Sequence, residues 1–267
     1  GYVGTILNWE SSTDGGLTWS AIANTTNTNA YTNLTDTTWF RVIVSSGLCG
    51  NDTSSTGTII VNPATVAGMV SMSDTVCSGI NNGTIYLTGY TGTILGWEQS
   101  VDGGFNWTPI ANTTDSLTYN NITITTMYHA NVQSGICNAD SSISATITVN
   151  PVSDAGAITG SVAGCEGANS GTLMATGTVG TIVDWESSID AGTTWMSLVN
   201  TTSTQTYLNL PDTTWYRVIV QSGVCSADTS VAISVIVYPK PVAMFTADTV
   251  CFGNTTTFTN TSTISSG

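Results

Sequence analysis

Charge is the scarcest commodity in this chain: only 7% of its 267 residues are Asp, Glu, Lys or Arg, against roughly 25% in an average soluble protein. What charge there is leans to one sign, with three Lys or Arg against 17 Asp or Glu and a net charge of −14. A surface this poor in cations has almost nothing with which to neutralise phosphate, so nucleic acid and anionic membrane are nearly excluded as partners. Histidine occurs once, which leaves little for acid–base or metal chemistry. No apolar run approaches the roughly 18 to 20 residues needed to span a bilayer, and Gly1-Tyr2-Val3-Gly4 has none of the features of a signal peptide. Periodicity of the helical kind is absent as well. Asn, Ser and Thr must therefore cover the surface. A hydroxyl-rich, lysine-poor chain with β-branched residues and six cysteines fits an extracellular β protein folded in an oxidising compartment.

What is present is a repeat. Trp9, Trp97 and Trp185 stand 88 residues apart, and the same interval relates Trp19, Trp107 and Trp195, Tyr31, Tyr119 and Tyr207, Cys49, Cys137 and Cys225, and Pro63, Pro151 and Pro239. A fixed period across aromatic, cysteine and proline positions marks a tandem array, and 88 residues is long enough for each unit to own a core. Proline cannot continue a β-ladder, so the prolines at 63, 151 and 239 mark the junctions. The expected domains are residues 1–63, 64–151, 152–239 and a beginning at 240–267. The first of these lacks about 25 residues that carry the first two strands of the later repeats, so the chain reads as an excerpt of a longer protein.

Within the second repeat, residues 84–88, 93–98, 127–132 and 142–149 alternate or nearly alternate apolar with polar residues, the pattern of half-buried strands. Short strands, turn residues every 8 to 12 positions and units of just under 100 residues predict an all-β chain of tandem immunoglobulin-like antiparallel sandwiches of seven strands. The tryptophan of Asn8-Trp9-Glu10, Gly96-Trp97-Glu98 and Asp184-Trp185-Glu186 is the expected core residue of the third strand.

Cysteines fall into two classes. Cys77 and Cys165 precede the second strand, whereas Cys49, Cys137 and Cys225 follow a Ser-Gly-x turn in the last hairpin. One of each per repeat predicts bridges inside each domain, Cys77 to Cys137 and Cys165 to Cys225, each closing 60 residues and contributing about 4 kcal/mol by the chain-entropy relation. Cys49 and Cys251 are left to pair outside the excerpt or between subunits. No Cys-x-x-Cys or neighbouring His pattern supports a thiolate metal site.

Ser12 to Trp19, Ser100 to Trp107 and Ser188 to Trp195 carry a Ser-x-Asp-x-Gly pattern closed by Trp. It resembles the Asp-box hairpin of sialidase propellers and other secreted β proteins. Asp14, Asp102 and Asp190 are expected to accept turn amides while glycine supplies a positive φ and the tryptophan covers the hairpin. Sialidase chemistry is set aside, because a cluster of arginines must clamp the substrate carboxylate and the chain has only Arg41 and Arg217. Glu10 with Asp14, Glu98 with Asp102, and Glu186 with Asp190 flank the three hairpins as candidate calcium pairs, Glu98 and Asp102 foremost, with no other cofactor or metal implied. A glycosidase needs a carboxylic acid of raised pKa in a cleft, and the repeats offer none, so no catalytic residue is assigned. His129 stands where the other repeats have Arg41 and Arg217, and reads as a tolerated surface variant.

Asp36-Thr37-Thr38, Asp74-Thr75-Val76, Asp115-Ser116-Leu117, Asp212-Thr213-Thr214 and Asp248-Thr249-Val250 resemble the sites at which Bacteroidetes O-glycosylate exported proteins, making Thr37, Thr75, Ser116, Thr213 and Thr249 glycosylation candidates. Asn24, Asn112 and Asn200 begin Asn-x-Ser/Thr triplets, a weak signal in a Thr-rich chain.

The run Gly92-Thr93-Ile94-Leu95-Gly96-Trp97-Glu98, with Asp102-Gly103-Gly104, Thr125-Thr126-Met127-Tyr128 and Ser134-Gly135-Ile136-Cys137, resembles the immunoglobulin-like repeats of giant Bacteroidetes cell-surface proteins, a likeness that covers residues 1 to about 239. From Pro241, Ala243-Met244-Phe245, Val250-Cys251-Phe252-Gly253-Asn254 and Phe258-Thr259-Asn260-Thr261-Ser262 resemble the opening of a polycystic-kidney-disease-type domain. The resemblance implies export by type IX secretion and service as an adhesin, gliding filament or stalk, and it brings no catalytic residues. The expectation is a structural and adhesive segment of a very long surface protein or extracellular filament, partnered by other repeats of its own chain, self-associating into a fibre or contacting a glycan or surface ligand. Two rivals stand beside it: an array of carbohydrate-binding modules using exposed Trp19, Trp107 and Trp195, and an accessory region of a large secreted hydrolase.

Overall fold

The computed structural model describes residues 3–160 and 163–264, and these are almost entirely strand and turn, with one short 3₁₀ turn at Gly47–Cys49. The chain divides into two compact units: residues 1–73, 84–118 and 126–146 form one, and residues 74–83, 119–125 and 147–267 the other.

The third repeat shows how the sequence pattern builds a sandwich. One sheet orders Met196–Ser197, Thr181–Ser188, Thr214–Gln221 and Asp228–Thr229, with Ile233–Val235 also pairing Thr214–Gln221; the other orders Ala157–Thr159, Ser170–Thr176 and Thr204–Leu208. In Thr214–Gln221 every second residue (Thr214, Tyr216, Val218 and Val220) is buried, because successive side chains of a strand point to opposite faces. Trp185 lies opposite Val218 and is fully buried. Leu173, Tyr207 and Val235 join it in the core. At about 25 cal/mol per Å² of apolar area removed from water, a ring of this size is among the largest single contributions a domain of this length receives. Gly171 is required by packing: a Cβ there would lie 2.4 Å from the Tyr207 hydroxyl.

Residues 74–83, 119–125 and 147–150 belong to the same unit. Asp74–Cys77 runs parallel to the last strand of the second repeat, with Ile147 opposite Asp74 and Asn150 opposite Cys77. Gly164–Cys165 repeats this arrangement 88 residues on, in parallel with Val237–Tyr238. Beyond Pro241, Phe245–Ala247 pairs antiparallel with Phe258–Asn260, and the two phenylalanine rings meet edge to face at 5.7 Å.

In the other unit, Thr93–Ser100 pairs with Thr108–Ile110 and with Thr126–Gln133, placing Trp97 opposite Ala130. Trp97 and Ala130 are fully buried, as are Ile85 and Val132 to within 1%. Residues 5–59 form a single sheet ordered Ser20–Ile22, Thr5–Ser12, Thr38–Ser45 and Asn51–Thr53, with Gly57–Ile59 also against Thr38–Ser45. Trp9 in this sheet is only partly buried. The expected strand over 142–149 is instead two pieces, Asp140–Ser141 and Ala145–Asn150.

One expectation is overturned here. Cys77 is bridged to Cys225, not to Cys137, and Cys165 is free, as are Cys49, Cys137 and Cys251. The cause is strand direction. Because Asp74–Cys77 runs parallel to the last strand, Cys77 finishes at Asn150, where the second repeat ends. Cys137 lies beside Asn62 and Pro63, where that repeat begins. The same holds in the third repeat, where Cys165 is opposite Tyr238 while Cys225 lies beside Asn150 and Pro151. The two cysteines of the third repeat thus stand at its two ends.

Candidate functional site

Two recurring constructions gather the residues with chemical character: the joint at each Asn-Pro or Tyr-Pro boundary, and the tryptophan hairpin.

At the joint around Pro151, the Ser222-Gly223-Val224-Cys225 turn is closed by Cys225 N–H donating to Ser222 O at 2.9 Å. Gly223 has φ +51, and a Cβ on it would fall 2.3 Å from Asn150 Oδ1, so only glycine fits both the conformation and the space. Ser222 N–H donates to Ser153 Oγ at 2.9 Å, and Gln221 Nε2 donates to Cys225 O at 3.0 Å. Cys225, buried to 2% exposure, has its sulfur 3.1 Å from Pro151 O. Cys77 meets it with a Cα–Cα distance of 5.0 Å and a sequence separation of 148. The presenting strand is fixed in its turn by Asn81, which donates to Cys77 O at 2.8 Å and Ile122 O at 2.7 Å and accepts from Ile122 N–H at 3.0 Å.

Both halves of this joint recur at free cysteines. Cys137 N–H donates to Ser134 O at 2.9 Å, Gly135 with φ +52 faces Asn62, Ser134 N–H donates to Thr65 Oγ1 at 3.1 Å, and the Cys137 sulfur is 3.5 Å from Pro63 O. Asn169, buried, clamps Cys165 O and Leu210 as Asn81 clamps Cys77 O and Ile122. The Asn81 and Asn169 clamp was not anticipated, although their 88-residue spacing was a signal for it.

In the hairpins, the Asp14 carboxylate accepts from Leu17 N–H, Thr18 N–H and the Thr18 hydroxyl at 2.9, 2.9 and 2.5 Å. Asp102 accepts from Phe105 and Asn106 amides and from Asn106 Nδ2, and Asp190 from Thr194 N–H and its hydroxyl. Ser12, Ser100 and Ser188 each donate to the following aspartate at 2.7 Å. These bonds favour the charged form. Thr18, through its hydroxyl and amide, holds the Asp14 carboxyl well below the usual range. Asn106, through its amide and side chain, lowers Asp102 to about 2, and the Thr194 hydroxyl and amide lower Asp190 to about 2.

Each closing tryptophan is covered by its own chain. The Arg41 guanidinium lies 4.0 Å from the Trp19 ring centroid and Arg217 4.1 Å from Trp195, while His129 stacks on Trp107 at 3.9 Å. A carboxylate directly across the ladder holds each partner: Glu10 for Arg41 at 2.7 Å, Glu98 for His129 at 2.7 Å and Glu186 for Arg217 at 2.5 Å. Hydrogen bonding from His129 holds Glu98 below its ordinary value. His129 is therefore no surface variant: it is buried to 8% exposure and performs the stacking of the arginines it replaces. Glu98 and Asp102, the candidate calcium pair, are engaged by different partners, and among the described residues no three His, Cys, Asp or Glu side chains cluster as a metal site requires.

The glycosylation candidates divide. Thr75 and Thr249 are exposed, whereas Thr37, Ser116 and Thr213 are half-buried and the hydroxyls of Thr37 and Thr213 accept from Val61 and Val237 N–H. Asn24, Asn112 and Asn200 each accept from the threonine two residues on, a turn motif repeated at the same period.

The family described as Domain of unknown function (DUF8696) matches residues 1–63, 66–151 and 154–239. The chain belongs to that family, in three tandem copies. Among solved structures, a three-immunoglobulin-domain segment of titin in an E-to-A variant is 14% identical, with a TM-score of 0.51 and coverage of 87% of each chain. Extracellular domains 3–5 of Drosophila OTK are 13% identical with a TM-score of 0.41, covering 89% of this chain and 86% of that one. The titin likeness shows an immunoglobulin-like fold for the DUF8696 repeats. No curated protein sequence matches the chain.

Proposed function

We propose that this DUF8696 array is a structural and adhesive stretch of a long secreted surface protein, acting through reach and mechanical continuity. The observation that carries the reading is the Cys77–Cys225 bridge, which joins consecutive repeats where a bridge for the stability of one domain would stay inside it. A disulfide in such a position suits an oxidising, extracellular compartment, as does a surface of hydroxyl and amide groups with three cations in 267 residues. No helix long and apolar enough to cross a membrane occurs among the described residues. The likeness to Bacteroidetes surface repeats, and of residues 240–267 to the start of a polycystic-kidney-disease-type domain, belongs to this reading, as do self-association into a fibre and O-glycosylation at Thr75 and Thr249, the two candidates with exposed side chains. The array is read as non-enzymatic and without a cofactor, because the carboxylates of its hairpins are committed, Asp14, Asp102 and Asp190 to turn amides and Glu10, Glu98 and Glu186 to ion pairs.

Against the carbohydrate-binding alternative, each tryptophan that would stack on a sugar already has one ring face covered by Arg41, His129 or Arg217. Immunogold labelling of intact source cells with antibody against residues 64–239 tests the proposal. Gold on the cell exterior or on extracellular filaments is the expected result; label confined to the cell interior would overturn it.

A further inference from the structure

We propose that the Cys77–Cys225 bridge carries tension across the junction and takes the chain between those residues out of the tensile path. The inference rests on the reading of the array as a tensile element and adds the covalent route that tension follows. Force pulling on the segment before Cys77 passes through the sulfur pair and leaves along the segment after Cys225. The 148-residue separation it closes holds most of the second repeat, the Asn150-Pro151 junction, and the third repeat as far as its last hairpin.

Three features of the joint fit this role. First, the bridge spans the junction itself, so Pro151 and its neighbours cannot be drawn out while it is intact. Bridges within single repeats would leave every junction in the loaded path. Second, Cys77 ends a strand that lies parallel to Ile147–Asn150 over four residue pairs, so a pull along Asp74–Cys77 loads those pairs together, in shear. Third, both ends are held against rotation before any load arrives. Asn81 fixes the carbonyl of Cys77, and Gln221 and Ser222 fix the turn around Cys225. The receiving seat recurs at Cys137 and the presenting strand at Cys165, with the same hydrogen bonds in each. The two halves of the joint are thus properties of the repeat, and the link itself is made where they meet, at Cys77 and Cys225.

Pulling single 267-residue chains by their two ends, under oxidising conditions and then with dithiothreitol, tests the proposal. The reductant converts the bridge to two thiols and is itself oxidised to its cyclic disulfide. With the bridge intact, 119 residues (267 − 148) are free to extend, which at about 3.5 Å per residue gives a full extension of about 40 nm; reduction should raise it about twofold, to about 90 nm. Two bridges within repeats would instead leave the oxidised chain at about 50 nm, and no bridge would give about 90 nm from the start; either result overturns the proposal. Cys225→Ser supplies the second arm. It should bring the oxidised chain to full extension, whereas a remaining shortfall of about 20 nm would show Cys77 bonded to Cys137 and contradict the proposal. Surface labelling and this extension are independent, so an array that is exposed but lacks the link, or has the link but lies inside the cell, is told apart.

Discussion

Trp9 and Trp185 occupy the same place on the same strand of two repeats, and their indoles make the same hydrogen bond, to Thr26 O at 3.0 Å and to Thr202 O at 2.9 Å. Yet Trp185 is fully buried and Trp9 only partly. The strand and the polar contact are local, formed within 17 residues of chain. Burial comes from the second sheet, Ala157–Thr159, Ser170–Thr176 and Thr204–Leu208, which faces Trp185; residues 5–59 form one sheet only. The hairpin is therefore an autonomous device, whereas the core is a property of the whole sandwich.

The largest effect that sharpens this comparison is reduction. Closing a separation of 148 residues is worth about 5 kcal/mol in the chain-entropy relation, so reducing agent should lower the melting transition of the third repeat substantially while leaving the signal of residues 5–59 nearly unmoved. Hydrogen exchange resolved by peptide checks this, and equal loss of protection in both regions would break the contrast.

Next in size is the tryptophan itself. Trp185→Ala removes a fully buried ring and should cost about 3 to 5 kcal/mol, whereas Trp9→Ala, at a partly exposed site, should cost about 1 kcal/mol or less. Denaturant titrations of the two variants that gave equal losses would show that the second sheet does not decide burial.

Smaller, and opposite in logic, is the aspartate of the hairpin. Asp190 and Asp102 are lowered to about 2 from an ordinary 3.8. A carboxyl lowered in the folded state contributes stability that is fully present above its unfolded value and is lost as pH falls through the folded one. The melting temperature should thus fall between about pH 4 and pH 2, and Asp190→Asn should flatten that slope for the third repeat. Because the hairpin is local, Asp14→Asn should act in the same direction on residues 5–59. A pH response in one region alone would contradict the hairpin's autonomy.

The smallest effect is expected at His129. Replacing it by arginine restores the residue of the other two repeats at a position opposite Glu98 and over Trp107, and should change stability by about 0.5 kcal/mol or less. A loss of several kcal/mol in thermal or chemical denaturation would show that the second repeat packs this position differently from its neighbours.

The features legible in the sequence are those decided within one strand or one turn. The 88-residue period, the alternation in Thr214–Gln221 and the turn pattern around Asp102 and Asp190 all depend on near neighbours. Trp9 lacked this legibility because its burial depends on a second sheet. Cysteine pairing lacked it because spacing sorts Cys77 and Cys137 into classes but does not say beside which strand or junction each one lies. That follows only from the parallel pairing of Asp74–Cys77 with Ile147–Asn150, and short parallel edge strands leave no periodic signature. His129 departs from the expected surface position for a related reason. Its chemistry is set by the residue across the ladder, Glu98, which lies 31 positions earlier in the chain.

The most direct test of the account is peptide mapping without reduction, on protein whose free thiols were blocked before digestion. The expected map has a peptide containing Cys77 joined to one containing Cys225, with Cys137 and Cys165 recovered as blocked thiols. Peptides joining Cys77 to Cys137 and Cys165 to Cys225 would contradict it, returning each bridge to the interior of its own repeat and leaving the junction at Pro151 without a covalent tie.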